Sequence, residues 1–98
     1  MPRRCKSQLI AQILATCQGA GASKTQIVYK VNLNFNTTNS YLDLLTKRDL
    51  LEAIHDKLIL YKTTAKGERA LKSLRAIEEI LFMILYLIHT FYYVNMVY

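Results

Sequence analysis

The sequence is poor in the residues from which chemical sites are built. It holds two cysteines, two histidines, three glycines and one proline in 98 residues. Cys5 and Cys17 have no histidine cluster beside them, so they make neither a zinc site nor a disulfide framework. His55 and His89 stand without a ligand-spaced companion and read as turn or packing residues. Asp43, Asp49, Glu52, Asp56, Glu68, Glu78 and Glu79 are scattered and form no catalytic pair. There is no phosphate-cradling glycine loop and no nucleophile motif. These absences argue against an enzyme, a metal centre and a bound cofactor. No signal peptide is expected, because Pro2, Arg3 and Arg4 lead into an amphipathic segment and not a long apolar one.

One further absence divides the chain. Residues 80–98, ILFMILYLIHTFYYVNMVY, contain no Asp, Glu, Lys or Arg, so the whole net charge of +6 lies on residues 1–79. A compact head of that charge attracts polyanions, either nucleic acid or an anionic membrane surface, and charge alone does not choose between them. The length allows one small domain, with a thin core unless an oligomer shares it. The expected division is a head over 1–79 and an apolar helix over 80–98.

Along the head, Leu9, Ile10, Ile13, Leu14 and Cys17 recur at helical spacing, which predicts a first helix over 7–18 with Cys17 as a small buried hydrophobe. Cys5, among basic residues, is expected to carry an exposed and somewhat acidified thiol. Gly19 and Gly21 stop this helix. Ser23 is a natural N-cap for a second helix over 24–31 that buries Ile27, Val28 and Val31. Leu33 and Phe35, in the turn that follows, are expected to anchor inwards.

A third helix should run from about Asn36 to Lys47. Tyr41, Leu42, Leu44 and Leu45 give it a core side, while Asn36, Thr37, Asn39, Ser40, Asp43 and Lys47 project outward. After a break at Asp49 come two β-like runs, 50–54 and 58–62, separated by His55, Asp56 and Lys57, which reads as a hairpin. Thr63 or Thr64 then caps a last helix that no Gly or Pro interrupts after Gly67. The fold class is mostly α with a small β-hairpin. Three helices, a hairpin and a helix is the order of a winged helix-turn-helix, here with a long C-terminal helix.

The residues also resemble a known family, the small archaeal winged-helix DNA-binding proteins and transcriptional regulators. The resemblance is carried by Lys24, Thr25, Ile27, Tyr29, Asn32, Leu33 and Phe35 in the second helix and turn. Tyr41, Leu42 and Leu45 on the third helix continue it, and Tyr61, Thr64, Lys66, Gly67 and Leu71 at the hairpin exit complete it. It covers roughly residues 7–79. The family usually has glycine where this chain has Asp49, a residue that adopts left-handed backbone at some cost. Family members often extend the last helix as a charged coiled coil that pairs two subunits, whereas here the extension is apolar on every side.

Double-stranded DNA is the expected partner, with the third helix in the major groove. Asn36, Thr37, Asn39 and Ser40 would face base edges, the two asparagines suiting adenine. Lys24, Lys30, Thr38, Lys47, Arg48 and Lys57 would contact phosphates, Lys57 from the wing tip, and Arg3, Arg4 and Lys6 would form a mobile basic arm. The absence of Arg on the reading helix implies modest base specificity, with phosphate attraction supplying most affinity. Together with Asp43 on the outward side, it also motivates an alternative, a winged-helix protein–protein interaction module that does not bind DNA.

The tail has three readings. As a helix, residues 80–98 extend about 28 Å at 1.5 Å per residue, close to the roughly 30 Å of a bilayer core. Tyr92, Tyr93 and Tyr98 would form an interfacial belt, and the basic head would stay cytoplasmic. Alternatively, the seam Leu74, Ile77, Leu81, Ile84, Ile88, Phe91, Asn95 and Tyr98 has the steps of a coiled coil, so the helix would pair two subunits as a homodimer. The outer positions Phe82, Leu85, Leu87, Tyr92 and Val94 supply none of the charge that a solvated coiled coil needs. The third reading is an aberrant translation product in place of a shorter polar tail.

Overall fold

In a computed structural model that describes residues 4–97, the chain forms α1 (Lys6–Thr16), β1 (Ala22–Ser23), α2 (Lys24–Val31), α3 (Phe35–Lys47), β2 (Leu51–His55), β3 (Ile59–Thr63) and α4 (Ala65–Val97). Arg3 and Tyr98, which the sequence put in a basic arm and in the tail seam, lie outside the described residues. Arg4 is no mobile arm: its guanidinium donates to Val31 O at 2.6 Å, Asn32 O at 3.3 Å and Gln12 Oε1 at 2.5 Å. A cation is favourable at that point, where α2 ends with its carbonyls unpaired.

The caps explain the helix boundaries. Ser23 and Gln26 form a capping box, with the Gln26 N–H donating to Ser23 Oγ at 3.3 Å and the Ser23 N–H to Gln26 Oε1 at 2.9 Å. Asn32 ends α2 in left-handed backbone at φ 59°, and the Leu33 N–H reaches back to Val28 O at 3.2 Å. Asn34 then starts α3, its Oδ1 accepting from the Thr37 N–H at 2.7 Å. This begins α3 one residue earlier than expected and moves Phe35 out of the turn onto the first helical position. There it is 52% exposed, not anchored inwards.

Asp49 closes α3 in the left-handed conformation expected of it, at φ 59°. Its N–H donates to Thr46 O and that of Leu50 to Leu45 O, at 3.1 and 2.9 Å, the two bonds of a Schellman cap. Leu50 therefore belongs to the helix end, so the hairpin strands run one residue later than the expected 50–54 and 58–62, and the turn is Asp56–Leu58. Ala22 and Ser23 pair antiparallel with Tyr61 and Leu60, giving a three-stranded sheet of order β1-β3-β2. Nothing in the sequence marks a strand there, since two residues carry no periodicity. Gly21 makes the pairing sterically possible: at φ +91° any Cβ would sit 3.0 Å from Tyr61 O.

The two candidate cap threonines divide the work. Thr64 caps α4, its Oγ1 accepting from the Gly67 N–H at 3.0 Å and donating to Asp49 O at 2.5 Å. Thr63 is buried and ties down the end of α1. Its hydroxyl donates to Leu14 O at 2.6 Å and its N–H to Cys17 O at 3.0 Å, so two carbonyls left over at that helix end are satisfied by β3. Above it lies one core of Ala11, Ile13, Leu14, Cys17, Ala22, Ile27, Val31, Leu42, Leu45, Leu51 and Leu71. Burying each large aliphatic in it stabilises the fold by about 1.5–3 kcal/mol.

The helix α4 meets this core only at its start. Gly67 and Leu71 are buried, and Ala70 and Leu74 pack against the cluster. From Glu79 to Met96 every side chain is exposed, including Leu81, Ile84, Ile88 and Phe91. The molecule is accordingly elongated, 65 × 27 × 20 Å.

Candidate nucleic-acid interface

The 3.6-residue period of α3 decides which of its residues are available. Thr38, Leu42 and Leu45 are buried and define the inward side. Opposite them runs an exposed stripe of Asn36, Ser40, Asp43 and Lys47 at steps of four, three and four. Thr37 and Asn39 flank it, each half-buried. Of the residues expected at base edges, Asn36 and Ser40 thus face outward most fully. The Ser40 hydroxyl donates to Asn36 O at 3.1 Å.

Thr38 does not belong to any such surface. It is 0% exposed and its hydroxyl donates to Asn34 O at 2.8 Å, so the expected phosphate contact is excluded. The reason is geometric: two residues beyond Asn36 turn the helix by about 200°, onto the core side. Leu44 errs in the other direction. Counted on the core side from its apolarity, it is 43% exposed beside Ser40 and Lys47, because the core contact is filled by Leu42 and Leu45. Sequence patterning offers one signal for this, the near-continuous apolar run 41–45, which is too wide for a single face.

Lys47 ends α3, and a shallow groove of about 500 Å³ separates the helix from the wing. Asp43, Thr46 and Lys47 line one wall, and Ala53, His55, Ile59 and Tyr61 the other. Lys57 is exposed in the turn between β2 and β3, next to Leu58, which is 67% exposed. Arg48 is exposed at the C-cap of α3, and its carbonyl accepts from Lys66 Nζ at 3.0 Å. Lys24 is half-buried at the start of α2. Lys30 lines a different groove with Thr16, Gly21, Ala22, Thr25, Gln26 and Tyr29. The fold therefore gathers Lys47, Asp43 and His55 around one groove, while Lys30 sits at another.

The two cysteines behave oppositely. Cys17 is fully buried, and burial pushes its thiol up from 9.0 to about 12. Cys5 is exposed ahead of α1. A hydrogen bond with the Ser7 hydroxyl, 3.0 Å away, and then the Gln8 backbone N–H hold its thiol below the usual value. The direction is the expected one, but the cause is hydrogen bonding at a helix start and not the neighbouring basic residues.

Comparison with solved structures places this architecture. Sso10a-2, a DNA-binding protein from Sulfolobus solfataricus, superposes with a TM-score of 0.80 at 20% identity, over 89% of this chain and 92% of its own. The transcriptional regulator BldR from the same organism gives 0.70 at 20% identity, over 79% and 58%. A MarR-family transcriptional regulator from a Rhodococcus species gives 0.64 at 19% identity, over 69% and 51%. The chain thus spans little more than half the length of the last two. No curated protein matches it significantly in sequence. The winged helix-turn-helix family does match, over residues 3–82, and with the helices, wing and sheet order described above the chain belongs to that family.

Proposed function

We propose that the chain is a DNA-binding transcriptional regulator that reads the major groove with α3 and is held to the cytoplasmic membrane by the apolar part of α4. The observation that carries the first part is the stripe Asn36, Ser40, Asp43 and Lys47, which projects from α3 with no other element over it. In a groove, Asn36 and Asn39 would pair with adenine edges, and Thr37 and Ser40 would contact neighbouring sugar, phosphate or thymine methyl groups. Lys24, Lys30, Lys47, Arg48 and Lys57 would neutralise phosphates, Lys57 from the wing. The net charge of +6, all on the head, supports this reading, as do the DNA-binding and regulatory functions named for the similar Sulfolobus proteins.

Retardation of duplex DNA by the full chain in mild detergent tests it. Five neutralised phosphates give a slope of about −4.5 in log affinity against log salt, or roughly 500-fold between 50 and 200 mM. Asn36→Ala with Asn39→Ala should relax sequence preference at little cost to random duplex. No retardation at low salt would defeat the assignment, and a protein-interaction winged helix would take its place.

The second part rests on residues 79–96, exposed on every side of one helix that is long and apolar enough to cross a membrane. Their few polar groups are partly satisfied within the helix: the Thr90 hydroxyl donates to Tyr86 O at 2.8 Å, and the Asn95 amide to Phe91 O at 3.0 Å. Tyr92 and Tyr93 would lie at the far interface. A homodimer through Leu81, Ile84, Ile88 and Phe91 is the second reading, favoured by their alternating spacing of three and four. Fractionation separates the two. An anchored chain pellets with membranes until detergent is added and residues 1–79 stay soluble, whereas a dimeric helix gives a soluble full-length dimer.

A further inference from the structure

The central position of the α3 stripe is held by an acid. Asp43 is exposed, lies between Ser40 and Lys47 on the outward side, and forms the edge of the groove toward the wing. A carboxylate there is repelled by every phosphate, so on a helix that enters DNA it must face bases or oppose binding. The other charged or titratable groups lining the same groove are Lys47, one turn further along α3, and His55 and Tyr61 on the opposite wall. A pair with Lys47 at this spacing on an exposed face would be weak, leaving the lysine able to turn to a phosphate.

We infer that Asp43 is a specificity-determining residue that selects cytosine, accepting a hydrogen bond from the exocyclic N4 amine in the major groove. The inference rests on the DNA-reading role of α3. An ionised carboxylate only accepts hydrogen bonds. Guanine presents two acceptors in the major groove, thymine one acceptor and a methyl group, and adenine an acceptor beside its amine. Cytosine alone presents a donor with no acceptor on the same base. Asp43 lies about 10 Å along the helix axis from Asn36 at 1.5 Å per residue, and because a helix in the major groove follows the groove and not the duplex axis, that span covers about two base steps. The selected cytosine therefore falls about two steps from an adenine read by Asn36. The same charge lowers affinity for every duplex that offers no amine at that point, which makes Asp43 a device for rejecting wrong sites as much as for holding the right one.

The test uses the full chain in detergent micelles. Randomised duplexes are enriched on the wild type and on Asp43→Ala, and affinities are then measured with the enriched duplex and with one carrying T·A in place of C·G at the single position. The wild type should enrich cytosine there and lose about fivefold or more on the replacement. Asp43→Ala should lose that penalty and bind random duplex more tightly than the wild type. Enrichment by the wild type without cytosine at that spacing overturns the inference, as does an unchanged cytosine penalty in Asp43→Ala. Either result leaves DNA binding by α3 intact, whereas a wild type that retains no duplex at low salt removes the DNA reading and this inference with it.

Discussion

Gly67 sits in the first turn of α4, where helix propensity alone favours alanine by about 1 kcal/mol. The surroundings reverse the sign. A Cβ at Gly67 would collide with the Leu50 carbonyl oxygen and come within 2.7 Å of Thr63 Cγ2. Neither neighbour is free to retreat. Leu50 O accepts the Thr64 N–H at 3.1 Å, and Thr63 is fixed through its hydroxyl and N–H to the end of α1. Overpacking of this kind costs about 3 kcal/mol, the upper part of its usual range. Gly67→Ala should therefore destabilise the head by about 2 kcal/mol net, lowering its melting temperature by roughly 8–16 °C at 4–8 °C per kcal/mol. Cys17 provides the reporter. In a Cys5→Ser background, a thiol-reactive fluorophore signals unfolding of the head on heating, because the remaining thiol is fully buried in the core. An alanine variant that melts at or above the wild-type temperature would refute the packing argument.

Thr63→Val should cost about 1–3 kcal/mol in the same assay, since it keeps the shape and leaves Leu14 O without its hydroxyl donor; an unchanged melt would mean that water or another donor replaces it. At pH 8 an alkylating reagent should modify Cys5 in the folded chain and reach Cys17 only after unfolding. Because the Cys17 thiol is raised from 9.0 to about 12, the unfolded chain gives up this proton first as pH rises. Stability should thus fall between about pH 9 and 12 relative to a Cys17→Ala reference, and parallel alkaline melts of the two would contradict the burial effect. Lys57→Ala should weaken all duplexes alike and reduce the salt slope by about 0.9, whereas a change confined to one sequence would mean that the wing reads bases.

Much of the fold was legible because its signals are local. The boundaries of α2 follow from Ser23, Gln26 and the left-handed Asn32, all within one short segment, and Cys17 was recognisable as core from its place in an apolar stripe. What escaped depends on contacts distant in sequence. The strand at Ala22–Ser23 exists only because β3 is there to pair with it. Leu50 looks like a strand residue until its N–H is found on Leu45 O. On α3 the composition of the polar side was readable, but the rotation was not: Thr38 and Leu44 exchange expected sides, since polar character does not fix orientation when a threonine can bond to its own helix. Asp43 was visible and counted against a nucleic-acid face. The role proposed for it above rests on its place in the exposed stripe, which only the fold reveals.

The helix α4 runs from Ala65 to Val97 without a glycine or proline after its first turn. At its base, Thr64 and Lys66 bond to the carbonyls of Asp49 and Arg48, the residues that terminate α3. Helix α3 is thus joined through these two bonds to the base of a continuous helix roughly 50 Å long. On the proposed reading, a surface that holds the far end of α4 would bear on the angle at which α3 meets a groove. A twist or tilt applied there would then carry toward the exposed stripe of α3, so that a change in the grip would also be a change in aim.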